Sequence, residues 1–172
     1  EISLRLRGSV PPVEGKGFRR SPGPTPCVLA VGDELAWLLH DVDADVRREA
    51  AELFAIVTPA AMTHLDDLWA RSEVEPDPFC RGLLFIAIGL NAGVTALERM
   101  TRAARTQPEP VAQFCAQLAI VFLDPTETGV LEDLRAVAGP DIDLRPESAR
   151  GWCQFETAVE LIDWLDELSR LG

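Results

Sequence analysis

A seven-residue phrase comes round four times in this chain: Asp41-Val-Asp-Ala-Asp-Val-Arg47, Glu75-Pro-Asp-Pro-Phe-Cys-Arg81, Gln107-Pro-Glu-Pro-Val-Ala-Gln113 and Gly139-Pro-Asp-Ile-Asp-Leu-Arg145. The starts lie 34, 32 and 32 residues apart. Each of the first three phrases is preceded by about a dozen residues of helical pattern and runs straight into another. A fixed period in the low thirties, with one breaker-rich turn per period, marks stacked helical pairs, because a single pair cannot bury its apolar face alone. The rhythm predicts an all-α chain, an α-solenoid of about four antiparallel helical hairpins.

Residues 1–26 stand outside the rhythm. They hold five prolines and four glycines, a composition that builds little helix and buries little surface, so they are expected to be a flexible lead-in to a repeat domain over 27–172. In that domain Asp33 is expected to cap a first helix carrying Leu35, Leu38 and Leu39. Asp45 should open a second over Val46–Val57, with Val46, Ala50, Leu53, Phe54 and Val57 on one face. Thr58-Pro59 should start a third, whose stripe is Met62, Leu65, Leu68 and Trp69. The helix after Pro78 is apolar nearly all round and must be covered on several sides. Val94, Leu97 and Met100 open the third unit, followed by Val111, Phe114, Leu118, Ala119 and Phe122. Val130, Leu131, Leu134 and Val137 open the fourth. Its last helix should begin near Glu147, with Trp152, Phe155, Val159, Ile162 and Leu165 in one stripe.

At the turns, Asp41-Val-Asp-Ala-Asp-Val-Arg-Arg-Glu-Ala-Ala51 and Glu75-Pro-Asp-Pro-Phe-Cys-Arg81 resemble the HEAT family of helical repeats, whose phrase is close to Asp-Pro-Asp-Pro-x-Val-Arg before an alanine-rich helix. The resemblance covers roughly residues 28–165. The third unit departs from it with Gln113 in place of arginine, and the fourth with Pro146 directly after Arg145. The family implies a structural ladder, in which turn carboxylates meet arginines of the neighbouring repeat. By position these are Asp43, Asp77, Glu109 and Asp141 with Arg47, Arg81 and Arg145, whose planar guanidiniums suit bidentate pairing. Some HEAT-like proteins are lyases or chaperones that attach bilin chromophores to phycobiliproteins. The resemblance therefore leaves open an enzyme-linked role, or that of an accessory domain in a larger enzyme.

Aligning the second helices shows where a free surface should lie. Arg48, Glu49 and Glu52 correspond to Gly82, Leu83 and Ile86 in the second unit, and to Phe114, Cys115 and Leu118 in the third. Polar residues at positions that are apolar in the middle units predict a wet, stack-capping face. Arg48, Glu49 and Glu52 are thus candidates for partner binding. For Trp152 and Phe155, helix packing at the end of the stack is the favoured reading, and anchoring a partner or a following domain is the alternative.

Charge narrows the choice of partner. Residues 1–26 carry a net +3 and the remainder a net −15, which repels a phosphate backbone; solubility is the simplest account of the excess, and a basic protein partner the sharper alternative. No apolar run approaches the ~20 residues of a membrane helix. Cys27, Cys80, Cys115 and Cys153 have no metal-ligand spacing and suggest reduced, buried thiols in a cytoplasmic protein. Neither His40 nor His64 is followed by glutamate, and no phosphate loop, nucleophile elbow or zinc motif is present. No catalytic residue, metal or cofactor is expected. The sequence reads as a non-enzymatic interaction scaffold.

Overall fold

The structure, a computed structural model, describes residues 26–56, 58–124, 129–139, 142–144, 155 and 157–171. The expectations for the lead-in and for Asp141, Arg145 and Trp152 lie outside these residues. Within them the chain is all-α. The helices are α1 (Pro26–Leu38), α2 (Ala44–Ile56), α3 (Thr58–Thr63), α4 (Leu65–Val74), α5 (Pro78–Asn91), α6 (Leu97–Thr106), α7 (Pro110–Leu123), α8 (Val130–Val137) and α9 (Ala158–Leu171), with a 3-10 turn at Val94–Ala96. Among the described residues no helix is long and apolar enough to cross a membrane.

The repeated phrases do become the turns that open α2, α5 and α7. Asp77 precedes α5 and its carboxylate accepts the Cys80 N–H at 2.6 Å, while Pro78 takes the first turn, where a missing N–H costs nothing. Pro110 opens α7 in the same way. At α2 the cap differs from expectation: Asp43, not Asp45, precedes the helix and accepts the Asp45 N–H at 2.9 Å.

Other boundaries also move. α1 starts at Pro26, so Asp33 lies within the helix rather than capping it. The third stretch breaks at His64 (φ −118°, ψ 23°). That break takes Met62 off the expected stripe and leaves it exposed, whereas Leu68 and Trp69 are buried. Leu53 and Val94 also face solvent instead of the core. On α9 the buried residues are Ala158, Leu161, Ile162 and Leu165, spaced i, i+3, i+4 and i+7, so the docked face is offset from the one expected and Val159 is exposed. An isolated antiparallel bridge, Asp143 to Thr157, ties the fourth turn to the start of α9.

α5 occupies the centre. Its residues Phe79–Gly89 are buried except for Arg81, because α2, α4 and α7 all pack against it. α7 in turn carries α6 and α8, and α8 meets α9. The α5–α7 approach is close enough to require glycine. A Cβ on Gly89 would stand 2.6 Å from the Ala119 Cβ and 2.7 Å from its Cα, and one on Gly82 would stand 2.9 Å from the Cys115 Sγ. The row α2, α5, α7 sets the spacing of the three turns, and so the reach between their charged side chains.

Candidate functional site

Three guanidiniums and two carboxylates link the first two turns. Arg47 leaves the first turn of α2 and donates from Nε to Glu75 Oε2 at 3.0 Å and from Nη2 to Glu75 Oε1 at 2.9 Å. Its Nη1 donates to the carbonyls of Asp41 and Val42 at 2.9 and 3.0 Å. Glu75 is 1% exposed and also accepts from Arg71, four residues back on α4, and from the Asp77 N–H at 3.0 Å. Burial pushes the Glu75 carboxyl up, but the hydrogen bonds from Arg47, the Asp77 N–H and Arg71 outweigh it and hold the group below its ordinary value. The partner hydrogen bond to Glu75 raises Arg47, so both ends of the couple stay charged.

Arg48 forms the parallel rung. It donates to Asp77 from Nε at 2.9 Å and from Nη2 at 2.6 Å, a bidentate couple, and to Asp45 from Nη1 at 2.8 Å. Burial pushes Asp77 up, and the Arg48 and Cys80 N–H hydrogen bonds again prevail and hold it low. The next junction repeats the design. Arg81 donates to the Glu75 carbonyl at 2.9 and 2.6 Å, and reaches forward to Gln107 Oε1 and Glu109 Oε2, both at 2.9 Å. The seventh residue of the phrase thus holds the first carbonyl of its own turn and the side chains of the next.

The expected residues divide accordingly. Arg47, Arg81 and Asp77 are brought to the contacts between successive turns. Asp43 is exposed, and its carboxylate serves its own turn. Asp141 and Arg145 lie outside the described residues. Glu75 was missed, although it heads a copy of the phrase with an arginine four residues before it. Arg48 was expected on a wet binding face; instead its long side chain spans to Asp77 and is only 21% exposed. The reason is reach: α2 packs directly on α5, so a guanidinium one residue beyond Arg47 still meets the next turn.

Of the other partner-binding candidates, Glu49 is exposed and Glu52 half-buried. Phe155 packs its ring 5.3 Å from that of Trp164 on α9 and lies against the core, in keeping with packing at this end of the chain. Trp152 lies outside the described residues. Of the exposed large apolar side chains among the described residues, Val31, Trp37, Val42, Leu53, Ile56 and Met62 lie on the first three helices and the turn between α1 and α2, while Val74, Val94 and Val159 lie elsewhere. Exposed Asp33, Glu34, Asp45 and Glu49 lie on α1 and α2 beside them in sequence. This end of the molecule is mixed apolar and acidic, not the purely polar cap that the aligned residues implied.

His40 is exposed in the turn after α1, whereas His64 and Cys80 are engaged. Both ring nitrogens of His64 face carboxylates, Nδ1 toward Asp67 at 2.9 Å and Nε2 toward Asp33 at 3.3 Å. Cys80 is a buried free thiol; burial first, then Glu75 and Asp77, pushes it far up and away from the thiolate. Among the described residues no group of three or more His, Cys, Asp or Glu side chains is placed to hold a metal. The arrangement grips neighbouring elements and presents an acidic, partly apolar surface. Comparison with protein-family models, curated proteins and solved structures gave no match.

Proposed function

We propose that the chain is a HEAT-like α-solenoid acting as a non-enzymatic scaffold for a protein partner with a basic surface. Each proposed unit pairs a first helix with the second helix that follows its turn, and the Arg47–Glu75, Arg48–Asp77 and Arg81–Glu109 couples join units in series. The observation that carries the binding reading is the surface of α1 to α3, where exposed tryptophan, valine, leucine, isoleucine and methionine accompany acidic side chains. Apolar residues beside one sign of charge give a partner both contact area and electrostatic steering. The net −15 beyond residue 26 sets the sign.

The test is retention of proteins from the native host by the purified chain across a salt series, with Glu34→Lys/Glu49→Lys as the comparison. A specific partner should be held at low salt, released as the screening length falls to about 8 Å at physiological strength, and lost by the charge-reversed variant. Retention that ignores both salt and charge reversal contradicts the reading. So does chemical conversion of a small molecule by the purified chain alone.

A further inference from the structure

Trp37, the penultimate residue of α1, is a large side chain that lies 72% exposed. Asp33, Glu34, Trp37 and Leu38, all within two turns of α1, line a shallow, open concavity. Asp33 and Trp37 stand four residues apart, so they share one helix face a turn apart. Asp33 is 80% exposed at its side chain, with His64 Nε2 at 3.3 Å from one of its oxygens. An indole beside carboxylates is poorly matched to a purely apolar occupant, which would strip water from the carboxylates without replacing it.

The molecule already contains a filled example of this combination. On α4, Trp69 and Glu73 are also four residues apart. Arg99, arriving from α6, lays its guanidinium 4.3 Å from the Trp69 ring centroid and donates to Glu73 at 2.6 Å. The indole face takes the flat cation and the carboxylate takes its N–H edge. At Trp37 the indole and carboxylates are present and the surface is open.

We propose that the Trp37 concavity binds an arginine side chain of a protein partner, stacked on the indole and paired with Asp33 and Glu34. This rests on the scaffold reading and names its point of contact. Arginine fits better than lysine because a planar guanidinium stacks and forks at once, whereas an ammonium is a strongly hydrated point charge. An acidic partner is repelled.

The experiment uses the full chain, isotope-labelled with ¹⁵N, and follows the indole N–H signals of its four tryptophans, that of Trp37 being identified by Trp37→Phe. The probes are Nα-acetyl-arginine amide and its neutral isostere Nα-acetyl-citrulline amide. The arginine probe should shift the Trp37 signal saturably, and the citrulline probe should not. Asp33→Asn/Glu34→Gln should weaken the arginine probe about tenfold, while Glu132→Gln/Asp133→Gln on α8 should leave it within about twofold, as distant exposed charges are screened.

Equal response to both probes, a silent Trp37, or equal weakening by the two charge-removed variants overturns the proposal. If Arg19→Ala/Arg20→Ala in the full chain shifts the Trp37 signal without any probe and tightens the arginine probe, the occupant is the chain's own basic segment, which also overturns it. If signals elsewhere respond while Trp37 does not, the site fails and the scaffold reading stands. The scaffold reading is tested separately, by the salt-dependent retention described above.

Discussion

Glu75 is a carboxylate between three guanidinium groups, two of which reach its oxygens and one its carbonyl. Arg47 and Arg71 hold the oxygens, and Arg81 the carbonyl. Removing one member of a buried couple strands the rest, which costs about 3–5 kcal/mol. Glu75→Ala should therefore lower unfolding free energy by that order, measured by chemical denaturation. Glu109→Ala, whose side chain is 37% exposed, should cost about 1 kcal/mol or less. Arg47→Ala should likewise be worse than Arg48→Ala, since Arg47 is buried with Glu75 and also satisfies two carbonyls.

The same residues predict the response to acid. Glu75 and Asp77 sit below their ordinary values in the folded chain, so their contribution is present above the unfolded carboxylate range near pH 4 and is lost as pH falls through their folded values. Glu75→Gln should be less stable than the parent at neutral pH and should lose less further stability between about pH 4 and pH 2. Parallel pH profiles would remove Glu75 from the account. Arg47, Arg81 and Asp77 were legible from the register of the phrase. Glu75 was not, because the first position holds Asp41, Glu75, Gln107 and Gly139, with no constant chemistry to mark it. Arg48 misled for a different reason: a polar residue aligned with Gly82 and Phe114 looks like surface, and only the α2–α5 contact shows what it reaches.

Among elements, α5 and α7 set the tightest requirement. Gly89→Ala forces a methyl against the Ala119 backbone and should cost about 1–3 kcal/mol. Gly93→Ala meets nothing within 4 Å at an ordinary negative φ and should be neutral or stabilising by up to about 1 kcal/mol. Thermal melts of the two variants separate close packing from a general intolerance of substitution. Phe85, 2% exposed on α5, should cost about 3–5 kcal/mol as alanine, against less than about 0.5 kcal/mol for exposed Glu49. The burial of α5 on most sides was legible, since its apolar residues leave no wet stripe. The start of α1 was hidden because Pro26 continues a proline-rich run and gives no separate signal. The break at His64 carries neither glycine nor proline, and the α9 face shifted because Ala158 and Leu161 pack where Val159 was expected.

For the whole molecule, the proposed arrangement is one of units that each rest on their neighbours, with exposed large apolar side chains most numerous at the α1–α3 end. In such a stack a local defect should stay local, because stability is a sum over units and the interfaces between adjacent ones. A single core cooperating as one body would instead transmit the defect everywhere. Native-state hydrogen exchange, resolved by residue, on the parent chain and Glu75→Gln separates the two. The account predicts slowest exchange in α5 and α7 of the parent. In the variant, opening free energies should fall in α2, α4 and α5 while those of α8 and α9 change little. A uniform drop from α2 to α9 would contradict the stacked arrangement on which the scaffold reading depends.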